Sequence, residues 1–215
     1  MKNNKRIFLA SPEMMGNELK YVKDAFETNW IAPLGPYVNK LEDDFKEYMG
    51  LPGATALASG TAALHLAIKL AGVKAGDYVF CSSLTFSASA NPIIYENAIP
   101  VFIDSEPGDY NMSPVALEKA FEKYTPKAVV IVSLYGTPAT MDALVKICKK
   151  HKVAIIEDAA ESLGATYKGR LVGTFGDYNV ISFNGNKIIT TSGGGMLLTK
   201  KEKDAKKALF WATQA

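Results

Sequence analysis

The rhythm of apolar positions along this chain changes several times, and each change marks out an element. Over residues 17–28 (NELKYVKDAFET), Leu19, Val22, Ala25 and Phe26 recur at three- and four-residue steps, which predicts an amphipathic helix. A loop with Pro33, Gly35 and Pro36 follows. A second helix then carries Val38, Leu41, Phe45, Tyr48 and Met49 and stops at Gly50. The segment SGTAALHLAIKLAG is apolar nearly all round, so it reads as a buried helix entered through Ser-Gly-Thr.

Beyond it, strands and helices alternate. YVFCSS, IPVFID, KAVVIVSLYG, VAIIEDAAES, YNVISF and GMLLT read as strands. Their unbroken Val/Ile runs are what strands covered on both faces look like, so a parallel sheet with helices on both sides is expected. FSASANPIIYEN predicts a helix interrupted or begun near Pro92. Ser113 and Pro114 supply an N-cap and a first-turn proline for a helix running to about Tyr124, and MDALVKICKKHK predicts another. The last stretch, KKEKDAKKALFWATQA, reads as a helix that exposes Phe210 and Trp211 and so lacks partner surface. No repeat or linker divides the chain, and one α/β domain over residues 1–215 is expected.

Composition narrows the function classes. The chain is 48% hydrophobic and 21% charged, ordinary for a globular protein with one sizeable core. Net charge is +2, from 24 basic and 22 acidic side chains, which argues against nucleic acid or an anionic membrane as the main partner. The basic start is followed by the apolar run IFLA, too short for a signal peptide, and no stretch approaches a membrane span. A cytoplasmic protein is expected. Cys81 and Cys148 form no metal or redox motif and read as buried free thiols. With His65 and His151 the only histidines, no multi-histidine metal site is expected. The sequon Asn111-Met112-Ser113 carries little weight in a cytoplasmic chain.

Candidate chemistry collects where predicted strands end, the place where open α/β sheets bind ligands. Lys187 stands in SFNGNKIITTSGGGM. It is either a lysine that snorkels to water or an amine in a partly dry pocket, able to attack carbonyl carbon. Asp158 closes VAIIED, as a turn aspartate or as a carboxylate that could hold a ring nitrogen in its positive form. Ser59-Gly60-Thr61 is either a plain N-cap or an anion site at a helix start. Ser182 is a turn serine or a further hydroxyl for that anion. Phe86 is core or a flat platform for a planar ring. The run 193–195, three glycines, allows a tight turn or a close backbone approach.

Competing motifs are missing. There is no G-x-G-x-x-G and no G-x-x-x-x-G-K-[ST], Phe183 stands where a short-chain reductase needs tyrosine, and His65 lies inside a helix, poorly placed for a hydrolase triad. An amine, a strand-end carboxylate, a phosphate-type helix start and an aromatic remain. Those are the four things pyridoxal phosphate needs.

NWIAPLGPYVNKLE, SGTAALHLAI, IIEDAAESLGA, GTFGDYNVISFNGNKIITTSGGGM and ATQA together resemble the DegT/DnrJ/EryC1/StrS sugar aminotransferases. The similarity is greatest to the branch that aminates UDP-linked 4-keto-6-deoxy-N-acetylhexosamines on the bacillosamine route. The resemblance implies the fold type I aminotransferase architecture, with a mostly parallel, seven-stranded sheet. It implies transfer of an amino group from glutamate to a keto nucleotide sugar for bacterial surface glycan synthesis, through pyridoxal 5′-phosphate. On that pattern Lys187 is the covalent anchor and proton shuttle, and Asp158 pairs with the ring nitrogen. Phe86 stacks on the ring, Gly60, Thr61 and Ser182 hold the phosphate, and Glu161 stands near the ring hydroxyl. Trp30 to Pro33 resemble a loop near the sugar. The family's 3-dehydrase branch has histidine in place of this lysine. Members are longer than this chain and work as homodimers that share their sites. The expectation is therefore a large domain with an N-terminal helical segment and no small C-terminal domain. The alternative is an inactive fragment that binds cofactor or dimerises.

Overall fold

The computed structural model describes residues 11–214. The basic start and its IFLA run, and the final alanine of ATQA, lie outside those residues. Seven strands make one sheet: β1 (Gly53–Leu57), β2 (Tyr78–Ser82), β3 (Ile99–Ile103), β4 (Pro126–Val132), β5 (Ala154–Asp158), β8 (Tyr178–Ser182) and β9 (Gly195–Thr199). Their order is β1-β9-β8-β5-β4-β2-β3, and β9 alone runs against its neighbours. The strands β6 (Thr166–Tyr167) and β7 (Arg170–Leu171) form a separate small hairpin.

Side chains alternate across the sheet and meet helices on both faces. Val79, Cys81, Val130, Ile156, Val180 and Leu197 join Ala63, Leu64, Ala67 and Ile68 of α3 (Gly60–Leu70) and Ala208 of α7 (Glu202–Thr213). On the other face, Phe80, Val129, Ile131 and Ile155 pack with Leu117 of α5 (Pro114–Phe121) and with Leu144 and Cys148 of α6 (Met141–Lys150). Ile181, Met196 and Leu198 of that face meet Phe45 and Met49 of α2 (Pro36–Met49). The expected α/β class, with helices on both faces, is what the chain forms.

Several expectations need correction. The sequence pattern reads six strands, and β1 is the seventh. Its GATAL carries no valine or isoleucine. An added Cβ at Gly53 would lie 2.2 Å from Thr199 Oγ1 and 2.9 Å from Ala205 Cβ, so the strand packs by closeness, not bulk. Thr55 adds a buried hydroxyl bond to the Ala205 carbonyl at 2.9 Å. The helix near Pro92 is short, α4 (Asn91–Tyr95), and a single 3-10 turn at Ser87–Ser89 precedes it. The first helix, α1 (Glu18–Glu27), buries no residue, and Leu19, Val22 and Phe26 all face outward. Phe210 is exposed as expected, whereas Trp211 is half-buried with the Lys69 and Lys207 ammonium groups over its ring. Asn111 is buried, its amide bonded to the backbone of Leu134 and Thr137, so the sequon is out of reach.

Cys81 and Cys148 are both fully buried and free. Burial pushes each thiol up to about 12, aided by the charges of Asp158 and Asp177 respectively. A thiol held that high has almost no thiolate to react. Mass spectrometry after a short exposure to iodoacetamide should find neither cysteine labelled in the native protein and both labelled in urea; native labelling would contradict this burial.

Candidate active site

The parallel strands end at one edge of the molecule, and a cavity of about 550 Å³ opens there. Its wall includes Gly60, Thr61, Phe86, Asp158, Glu161, Ser182 and Lys187. The topology explains this convergence. Phe86 follows β2, Asp158 and Glu161 end and follow β5, Ser182 ends β8, and Lys187 lies on the loop joining β8 to β9.

Asp158 is 5% exposed, and burial raises its pKa. Ser89 Oγ donates to its Oδ2 at 2.6 Å and the Ala160 N–H donates to Oδ1 at 3.1 Å, both favouring the ionised form, as does the Lys187 charge. Lys187 Nζ donates to Glu161 Oε1 at 3.2 Å, with side-chain exposures of 13% and 23%. Glu161 Oε2 accepts the Tyr135 N–H at 2.9 Å. The lysine is thus turned into the cavity and paired there with an acid rather than extended out to water.

The α3 start is capped by its serine and leaves backbone donors beside the cavity. Ser59 is the N-cap, its Oγ accepting from the Ala62 N–H at 3.0 Å. The Gly60 and Thr61 N–H groups belong to the first turn and have no helical carbonyl partner, so they remain for an anion. Gly60 lies against Ser182: an added Cβ would sit 3.0 Å from Ser182 Cβ and 3.3 Å from its Oγ. The glycine run also has a defined use. A Cβ at Gly195 would stand 2.4 Å from the Ser59 carbonyl carbon and 2.5 Å from the Gly60 nitrogen, so only glycine lets β9 begin there. The 183–194 loop is closed at its feet by the Phe183 N–H on the Gly194 carbonyl at 2.9 Å.

Phe86 is 70% exposed on the cavity wall and so is not core. Pro33 and Leu34 line a second groove of about 570 Å³, which shares Ala58 with the wall of the first; Trp30 packs against Gly35 instead. Sequence reasoning missed Ser89, which reaches Asp158 from the turn after β2, and Thr85, which bonds Ser89 behind it. It also missed Glu157, which braces β5 from the opposite face. Small hydroxyls in FSAS carry no spacing signal. Among the described residues, no cluster of three or more metal-ligating side chains occurs, and no helix is long and apolar enough to cross a membrane.

An amine and a buried acid at the open end of such a sheet are groups that carbonyl chemistry uses. The chain belongs to the DegT/DnrJ/EryC1/StrS aminotransferase family, whose profile matches residues 12–214. It is 56% identical over 217 aligned positions to EpsN of Bacillus subtilis (strain 168), provisionally named as a pyridoxal phosphate-dependent aminotransferase; the match covers 99% of this chain and 56% of EpsN. It is 42% identical to the GDP-perosamine synthase of Caulobacter vibrioides, covering 96% of this chain and 56% of that one. A solved structure from Streptococcus pneumoniae, Spr1654 in its PLP-form, provisionally named a sugar aminotransferase, superposes with a TM-score of 0.85 at 27% identity, over 96% of this chain and 57% of that one. The chain spans about half the length of the relatives it matches.

Proposed function

We propose that this chain is the large, cofactor-binding domain of a transaminase that moves an amino group from glutamate onto a keto nucleotide sugar for bacterial surface glycan synthesis. The cofactor is pyridoxal 5′-phosphate. One observation carries the reading: Lys187, Asp158 and the free start of α3 face a single cavity.

The residues fit that cofactor. The Gly60–Ser182 contact leaves a cradle that a Cβ would fill, beside two free N–H groups and a hydroxyl suited to phosphate. Asp158 is a buried acid whose charge a cationic ring nitrogen would compensate. Phe86 offers an open aromatic face. Bound, pyridoxal phosphate supplies an aldehyde for the amino group and an electron sink for the charge left when a proton departs. Lys187 anchors it and then takes and returns that proton, a transfer made effectively intramolecular by its position. Glu161 holds the Lys187 ammonium and, as part of the same cavity wall, would face the bound cofactor.

In this reading the acceptor is a UDP-linked 4-keto-6-deoxy-N-acetylhexosamine, and the name of the perosamine-forming relative makes the GDP-linked keto sugar the comparison. The protein acts in the cytoplasm as a homodimer, without nucleic acid or membrane partners. Exposed Phe86, Tyr135, Ile188 and Ile189 near the cavity support the dimer.

Two measurements test the proposal. After incubation with pyridoxal phosphate and reduction by borohydride, peptide mapping should find the label on Lys187; an unlabelled Lys187 refutes the cofactor site. With glutamate and each keto sugar supplied in turn, mass spectrometry should find the amino sugar. Label without amino sugar from either nucleotide would refute the acceptor assignment and support binding without turnover.

A further inference from the structure

The carboxylate at the heart of the site is held by groups that the family pattern did not point to. Ser89 is 1% exposed, and its Oγ lies 2.6 Å from Asp158 Oδ2. Behind it, Thr85 Oγ1 lies 2.7 Å from Ser89 Oγ, and Thr85 itself lines the cavity. We propose that Ser89, oriented by Thr85, is a positioning residue that fixes the Asp158 carboxylate and keeps it charged for the cofactor's ring nitrogen. The inference rests on the cofactor assignment above.

Hydrogen counting sets the direction of the chain. An ionised carboxylate only accepts, so the single Ser89 hydrogen is committed to Oδ2. Ser89 can then only accept from Thr85, and the Thr85 hydrogen points inward. Each bond polarises the next, so the pair is stronger than its members. Were Asp158 protonated on Oδ2, both hydroxyls would have to reverse, leaving the Thr85 hydrogen free toward the cavity. With Ala160 N–H on Oδ1, the carboxylate plane is fixed from both oxygens, and each keeps a lone pair for a further donor. The chain also ties together two functions. Phe86 leads into the 3-10 turn Ser87–Ser89 and accepts the Ser89 N–H on its carbonyl at 3.0 Å, so the ring platform and the acid's clamp move as one piece.

Other groups also act on Asp158. Lys187, on the loop after β8, favours its charge; Glu161, on the turn after β5, opposes it; Cys81, on β2, faces it as a neutral thiol. Burial is the largest influence and the Ser89 hydrogen bond is the foremost counterweight.

Thermal unfolding of the cofactor-free protein against pH isolates the effect. Folding raises the Asp158 pKa, so the folded state keeps a proton that the unfolded chain gives up. This stability is full below the unfolded carboxyl's pKa and falls as pH rises toward the folded value. Removing Ser89's hydrogen should carry that fall to higher pH. In Ser89→Ala the descent should extend by about one pH unit, a tenfold change in proton affinity. Thr85→Val, isosteric and less buried, should move it the same way by less. In an Asp158→Asn background neither substitution should move anything. Ser89→Ala should also weaken binding of pyridoxal phosphate, read from its visible band, by about tenfold. Wild type that takes no colour overturns the cofactor reading and this inference with it, before any variant is made. Wild type that colours, with pH profiles of both variants parallel to its own, overturns this inference alone; should Ser89→Ala not fold, the Thr85→Val profile decides.

Discussion

Replacing Lys187 with alanine should slow amino transfer by about four orders of magnitude or more, and leave borohydride with nothing to trap. Among the described residues lining the cavity, this is the one basic side chain. On the proposed function it would have two tasks, covalent anchoring and proton movement, and no other side chain lining the cavity is an amine that could take over either. Asp158 and Glu161 are acids on the wrong side of the exchange, and Ser182 is a hydroxyl engaged with the Asn184 N–H. Lys187→Arg separates charge from chemistry. A guanidinium keeps the cation opposite Glu161 but does not lose its proton, so it can neither attack a carbonyl nor carry a proton. Both variants should bind pyridoxal phosphate without a covalent link, seen as cofactor that washes out on dialysis. Recovery of transfer by the arginine variant would mean that Lys187 serves only as a positive charge.

Glu157→Ala is the second large loss, and it is a loss of stability. Glu157 is fully buried, next to Asp158 in sequence but on the other face of β5. Its Oε1 accepts the Gly173 N–H at 2.7 Å, and its Oε2 accepts from Phe175 at 2.7 Å and Gly176 at 3.2 Å. Burial pushes its pKa up, and those three donors work against it, with Arg170's charge behind them. Alanine would leave the Gly173 and Phe175 N–H groups without their acceptor inside the protein, the Gly176 N–H keeping Asn179 Oδ1 at 2.8 Å, and should cost about 3–5 kcal/mol. For a chain of this size that is about 10 °C or more in Tm. Glu157→Gln, which keeps one carbonyl oxygen, should recover part of it. A calorimetric Tm within about 2 °C of wild type for the alanine variant would show that the 173–176 segment does not depend on this carboxylate.

How much of this was legible beforehand follows from how each residue acts. Strands built on Val and Ile announce themselves because bulk buried on two faces leaves a run in the sequence. The placing of Asp158 and Lys187 at the open end of the sheet was legible because one ends a Val/Ile-rich strand and the other follows the next strand in the sheet within a few residues. What escaped acts by smallness or by geometry. β1 packs through Gly53 against Thr199, and the β6–β7 hairpin is two residues a side, turning at Lys168 and Gly169 with positive φ. Ser89 and Thr85 look like any loop hydroxyls until folding sets them behind an acid. The α1 stripe failed in the opposite sense: its periodicity is real, and the described structure provides nothing for it to bury against.

The loop bearing Lys187 has both its feet planted on the same helix start. Ser182 presses on Gly60 from one side, and Gly195 comes down on the Ser59–Gly60 peptide from the other. The part that would grip a phosphate and the part that would carry the covalent bond are therefore a single mechanical unit, indexed to each other to within a side chain's width. Anyone seeking to graft this site onto another sheet would have to move residues 59–61 and 182–195 together, as one cassette, because their backbones meet too closely for either to be repositioned alone.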